Sequence, residues 1–231
     1  MKNIIGRLVI FGVLFQSLAA YSQIGFTASL KGGVSLGKMH YEEDIFPEEW
    51  EEVDFDRSFN LGHNIGATIG LSLTNLIELE TGIGFIRKGV KEKYSFEIDT
   101  FPILYCEISA NLDYLTIPAL IKIKPPIAFS VKPYGIAGLS IGIPLSAKVY
   151  QKMEFMGETT DETIDIKEDV KMDFGLNIGA GIEFKIGNIL PYVEFIYDFG
   201  LVDISKEEEE TEETKEATRT MLLSAGIKYN F

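Results

Sequence analysis

From Val170 to Gly187 the chain alternates without a break between apolar and polar positions. Val170, Met172, Phe174, Leu176, Ile178, Ala180, Ile182, Phe184 and Ile186 share one parity; Lys171, Asp173, Gly175, Asn177, Gly179, Gly181, Glu183, Lys185 and Gly187 share the other. A period of two means a strand with one apolar and one polar face. Strands usually run only about five or six residues. Seven more segments carry the same period, at 24–37, 60–74, 77–91, 111–124, 131–147, 189–202 and 219–231. The phase of the third slips at Ile86-Arg87, which predicts a bulge there. Pro118 interrupts the fourth, a residue that normally counts against a paired strand.

The connections alternate as well. Positions 75–76, 125–130 and 187–188 are short, whereas 38–59, 92–110, 148–169 and 203–218 are long. An even number of strands joined in this way predicts an all-β fold, an eight-stranded antiparallel up-and-down transmembrane β-barrel with short periplasmic turns and long extracellular loops. Alternation alone does not say which face points outward. A soluble lipocalin-like barrel holding an apolar ligand is the alternative. The polar parity is rich in Gly, Ser and Asn with charges of both signs, which suits a narrow interior better than a wet skin. The predicted strands also exceed the roughly 9–11 residues that cross a bilayer.

Charge sharpens the picture. Of 231 residues, 35 are acidic and 21 basic, a formal charge of −14 that argues against nucleic acid as a partner. Twenty-eight of the acids fall in the four long connections. The others are Glu78, Glu80, Asp113, Asp173, Glu183, Glu194 and Asp198, all but Asp113 on a polar strand face. At the N-terminus Lys2 and Arg7 precede the run LVIFGVLF and the small-residue site Ala20-Tyr21-Ser22. That pattern predicts a signal peptide over 1–22 and a barrel domain over 23–231. Cys106 is the single cysteine, so no internal disulfide forms.

Glu78, Glu80, Lys122, Asp173, Glu183, Lys185, Glu194, Asp198 and Lys228 are expected to form a polar network inside the barrel, with Lys88 and Lys171 on the same parity. An eight-stranded barrel is only wide enough for side chains to fill it. Unpaired buried charge is costly, so these groups should pair and close the interior. Candidates for catalysis are sparse. His40 sits beside Glu42, Glu43 and Asp44, and His63 has the outward parity of Leu61 and Ile65. A rim hydrolase using either is the enzymatic alternative, but no G-x-S-x-G or H-E-x-x-H motif is present. The acidic connections lack the spacing of a calcium loop, and no cofactor or metal is expected. Phe195, Tyr197, Phe199, Tyr229 and Phe231 have the pattern of a lipid-facing aromatic girdle.

Four stretches carry a family resemblance: LKGGVSLG at 30–37, YLTIPALIKIK at 114–124, PYGIAGLSIGIPL at 133–145, and FGLNIGAGIEFKI with YVEFIYDFGLVDI over 174–204. Together they resemble the PorT-like outer-membrane β-barrel family of Bacteroidetes-type bacteria. The final SAGIKYNF, ending in Phe231, is similar to the aromatic signal read by the barrel-assembly machinery. The resemblance accommodates Ile117-Pro118 and implies an outer-membrane location in contact with lipid. It implies fold and location more firmly than an activity, though some relatives serve secretion or gliding machinery. With no catalytic constellation among the residues, a non-enzymatic structural or interaction role is expected, with a protein partner at the extracellular loops.

Overall fold

The computed structural model describes residues 25–41, 54–98, 101–126, 130–155, 158–202 and 216–231. The expected signal segment lies outside them. Among the described residues nine strands form: β1 (Gly25–Tyr41), β2 (Asp54–Ser72), β3 (Ile77–Ile98), β4 (Phe101–Ile123), β5 (Val131–Phe155), β6 (Glu158–Asp165), β7 (Asp173–Phe184), β8 (Ile189–Gly200) and β9 (Glu216–Asn230). All neighbours pair antiparallel, in the order β4-β3-β2-β1-β9-β8-β7-β5. The β4–β5 pairing completes a ring of eight. β6 stands outside the ring and, among the described residues, pairs with β5 alone, from Lys148↔Asp165 to Phe155↔Glu158.

The apolar parity faces outward. Leu30, Ile65, Ile69, Ile83 and Ile227 are each at least 60% exposed, whereas the polar residues between them are buried. An exposed apolar band around a closed ring is the surface that hydrocarbon requires, because every strand's backbone is paired within the protein. On this wall Tyr197 packs on Phe199 at 4.3 Å between ring centres, and Tyr229 on Phe231 at 4.9 Å.

Several expected boundaries change. β3 and β4 extend through most of the segment expected as a long loop at 92–110, and β5 with β6 through most of 148–169. The upper part of β3 still alternates, Tyr94, Phe96 and Ile98 against Lys93, Ser95 and Glu97, so the expected boundary at 91 stopped short of a period that continues. β6 (ETTDETID) is exposed along its whole length. β7, by contrast, covers 12 residues rather than eighteen. Its expected first residue, Val170, instead packs against Leu112, Tyr114 and Ala147 at the barrel mouth, after a single 3-10 turn (Lys167–Asp169).

The bulge expected in β3 is absent. Register with β4 is continuous from Gly84↔Thr116 to Phe96↔Leu104, so the phase of β3 never slips. Ile86 is an apolar residue that faces inward, and Arg87 faces outward, paired with Asp113 through Nε–Oδ1 (2.7 Å) and Nη2–Oδ2 (2.8 Å). The irregularity lies across the ladder in β2, between Phe59 and Asn64. Pro118, which has no N–H to give, falls where the β3–β4 ladder skips from Thr81↔Ala119 to Gly84↔Thr116, and its carbonyl accepts from Thr81 Oγ1 (2.8 Å).

The outward face predicts its own test. Ile178, midway along β7 and about half exposed, should meet the bilayer midplane. Ile178→Arg is expected to weaken folding into liposomes by about 2–4 kcal/mol in a denaturant titration, the cost of a basic residue at that depth. A change near zero would mean that this face does not contact hydrocarbon.

Candidate functional site

The inward parity of the eight ring strands stacks into layers between the end that carries the short turns and the end where strands outrun the wall. Lowest are Glu78 (β3), Lys124 (just after β4), Glu183 (β7) and Lys228 (β9). Lys124 Nζ donates to Glu78 Oε2 (2.6 Å) and Glu183 Oε2 (3.0 Å), and Lys228 Nζ donates to Glu78 Oε1 (2.7 Å). One step higher, Lys122 Nζ lies 2.7 Å from Glu80 Oε2 and 3.1 Å from Glu194 Oε2, while Lys31 Nζ takes the other Glu194 oxygen. Tyr134 Oη donates to Glu194 Oε2 as well, at 3.3 Å.

Two tyrosines hold these layers apart. The rings of Tyr134 and Tyr192 flank the Lys122 ammonium at 5.2 and 5.4 Å, and that of Lys228 at 5.9 and 5.8 Å. Each ring lies flat over a glycine directly across the ladder, Tyr134 over Gly181 and Tyr192 over Gly226. A Cβ at either glycine would collide with the ring. The small residue is therefore needed for close approach, not for backbone conformation.

Above the charges comes an apolar belt, Leu120, Ile136, Ile196 and Leu222, with Ile86 packed against it. Short polar pairs fill the same level: Ser224 Oγ donates to Asn64 Oδ1 (2.8 Å) and Asn177 Nδ2 to Ser140 Oγ (2.8 Å). A cavity of about 50 Å³ remains beside Lys31, Asn64 and Ser224, room for about one water molecule. Higher still, Lys88 Nζ donates to Asp173 Oδ2 (2.7 Å) and Asp198 Oδ2 (2.6 Å). Leu112, Tyr114, Ala147 and Val170 cap the stack. Among the described residues the interior is closely filled, with apolar side chains and short polar pairs lying between two charged levels.

Eight of the nine residues expected in the network are buried here: Glu78, Glu80, Lys122, Asp173, Glu183, Glu194, Asp198 and Lys228. Lys185 is the exception. β7 ends at Phe184, so Lys185 is exposed in the turn, its backbone N–H bonded to Ser130 O (2.9 Å). Lys171 is likewise exposed, ahead of the strand. Their places are taken by Lys31 and Lys124, each about 14% exposed at the side chain. Both have the inward parity, and charge balance was the signal that could have found them. Six carboxylates against three lysines is a sum that a buried network cannot leave uncorrected.

The catalytic candidates fare differently. His63 is exposed on the outer wall, its ring stacked on Phe85 at 5.3 Å, far in kind from a base held by a carboxylate. His40 pairs with Ala217 in the β1–β9 ladder, and its side chain lies outside the described residues. Cys106 is a free thiol in the extension of β4, and burial pushes its pKa up, which lowers its nucleophilicity at neutral pH.

Residues 16–206 match the family described as outer membrane protein beta-barrel domain. No curated protein matches the chain. Among solved structures it is similar to Neisserial surface protein A, at 14% identity over 89% of this chain and 97% of that one, with a TM-score of 0.47. A major outer membrane protein of Thermus thermophilus is similar at 10% identity over 91% and 100%, with a TM-score of 0.45. The outer membrane protease OmpT of Escherichia coli is similar at 10% identity over 90% and 97%, with a TM-score of 0.39.

Lys122 tests the network. It is fully buried between Glu80 and Glu194, so Lys122→Met leaves buried carboxylates short of a cation. The expected loss is about 3–5 kcal/mol of folding stability, read by urea titration of the barrel in micelles. A loss below about 1 kcal/mol, the value of an exposed pair, would contradict the buried network.

Proposed function

We propose, given that this chain belongs to the outer membrane protein beta-barrel domain family and resides in the outer membrane, that it is a non-enzymatic barrel working through the sheet that projects from its loop end. The carrying observation is the length of the strands. β2, β3, β4 and β5 run 19, 22, 23 and 25 residues, whereas β7 and β8 each run 12. One side of the barrel wall thus continues as a sheet well beyond the opposite side, with β6 added at its edge. β6 carries Glu158, Asp161, Glu162 and Asp165 and no basic residue.

A filled interior has no room for transport, and His63 stacked on Phe85 is no general base. The projecting acidic sheet is what remains for partners to meet. The short turns face the periplasm and the sheet faces outward from the cell, with a protein partner binding there. We place the chain among the PorT-like barrels, on the strength of its YLTIPALIKIK and PYGIAGLSIGIPL stretches. Phe231 is 76% exposed at the end of β9, open to the barrel-assembly machinery.

Orientation and role are tested together. In a Cys106→Ser background, Thr160→Cys on β6 is expected to react with a membrane-impermeant maleimide on intact cells. Asn188→Cys in the β7–β8 turn should react only after the outer membrane is opened, and the reverse pattern would overturn the orientation. A photo-crosslinking side chain at Thr160 should then give a discrete protein adduct on living cells. Absence of an adduct along β6, combined with lipid or peptide turnover by the purified barrel, would replace this reading with the enzymatic one.

A further inference from the structure

Among the described residues the interior charge does not sum to zero, and the excess is confined to one layer. The lowest layer holds two lysines (Lys124, Lys228) against two glutamates (Glu78, Glu183). The next holds Lys31 and Lys122 against Glu80 and Glu194. The layer beneath the mouth holds Lys88 against two carboxylates, Asp173 and Asp198. The nearby cations Arg87, Arg219 and Lys38 do not correct it. Arg87 is bound to Asp113, and Arg219 lies over the Phe199 ring and donates to backbone carbonyls; Lys38 borders the same small cavity as Lys88 and Thr220, but its ammonium lies over the Phe59 ring.

The same layer collects unpartnered oxygens. Lys88 and Thr218 occupy only one oxygen of each aspartate's pair, or of Asp173 alone in the case of Thr218. Among the described residues Asp173 Oδ1, Asp198 Oδ1, Tyr114 Oη and Thr220 Oγ1 are buried without a hydrogen-bond partner, in residues no more than 2% exposed; Glu80 Oε1 is the one such oxygen in another layer. Their residues gather around Lys88, whose Nζ donates to both aspartates, lies 5.7 Å from the Tyr114 ring centre and shares a small cavity with Thr220. Tyr114 and Asp173 lean toward each other over Gly142, where a Cβ would lie 3.1 Å from the Tyr114 ring and 3.3 Å from Asp173 Cβ. Asp198 Oδ1 lies against Gly175, two residues from Asp173 on the same face of β7. Thr220 opposes Asp198 in the β8–β9 ladder and, with Lys88 and Thr218, borders a cavity of about 10 Å³. A buried acceptor left unpaired costs about 1–3 kcal/mol, and more when charged.

We propose that this layer binds one monovalent metal cation of the sodium class, held by Asp173 Oδ1 and Asp198 Oδ1 with the hydroxyl oxygens of Tyr114 and Thr220. Oxygen donors of this kind suit hard cations. The charge selects the valence: one positive charge brings the layer to zero, and a divalent ion overshoots by as much as the empty layer falls short. Val170, three residues before Asp173, belongs to the same buried cluster as Tyr114.

The test compares thermal unfolding of the full barrel in micelles in sodium chloride and in N-methyl-D-glucamine chloride of equal ionic strength, at fixed pH. The wild type is expected to gain a saturable rise in midpoint with sodium, as for any ligand that binds only the folded state. Asp198→Asn leaves a neutral Lys88–Asp173 pair and should remove that rise, whereas Asp161→Asn on β6 should keep it. Tyr114→Phe removes one oxygen and no charge, and should raise the sodium concentration for half the effect by roughly tenfold, the equivalent of one ligand contact. Equal wild-type midpoints in the two salts would overturn the proposal, as would a sodium effect that survives Asp198→Asn. A midpoint that follows pH but not sodium would also overturn it, by assigning the compensating charge to a proton.

Discussion

Closure of the ring is the constraint from which the rest follows. β1 and β9 pair from Thr27↔Asn230 to Tyr41↔Glu216, which joins the two ends of the chain and leaves no sheet edge in the wall. In hydrocarbon each unsatisfied backbone group costs several kcal/mol, so an open edge is not tolerated. Closing only eight strands leaves an interior about as wide as the side chains that fill it. Every inward residue must then either pack or pair. The fit is tight enough that Tyr134 and Tyr192 need Gly181 and Gly226 opposite them.

The interior answers this with two kinds of layer. Ammonium and carboxylate groups are shared rather than matched singly: Lys122 serves Glu80 and Glu194, Lys124 serves Glu78 and Glu183, and Lys88 serves Asp173 and Asp198. Sharing gives each of these buried ammonium groups two carboxylate partners, which helps to offset its desolvation. Between these layers, Leu120, Ile136, Ile196 and Leu222 interrupt the charge. The wall is thus committed to lipid and the interior to itself. The proposed partner role falls to the loop end, where β2 to β5 outrun β7 and β8 and β6 adds to their edge.

Much of this was legible in the sequence because the bilayer enforces a strict period of two. The strand count, the outward face and eight of the nine interior charges all follow from parity. Where the bilayer stops enforcing it, the reading failed. β6 is exposed along its whole length, and its sequence ETTDETID has no apolar side to mark a strand. The reverse error occurred at Val170, Lys171 and Lys185, where alternation continued past the ends of β7. Ile86 misled for a third reason: an apolar residue on the inward parity reads as a slip in phase, but it packs on the apolar belt. Lys31 and Lys124 were visible by parity and were needed for charge balance, which is a property of the assembled interior rather than of any one strand.

The central claim is that paired charges and an apolar belt hold the barrel shut. Ion conductance of the purified wild-type barrel in a planar lipid bilayer tests it most directly. The account predicts a silent membrane, with no stable open-channel steps, under conditions where the barrel is shown to be inserted. Reproducible steps from the wild type, with an ion selectivity that changes when Lys122 or Glu194 is neutralised, would contradict it.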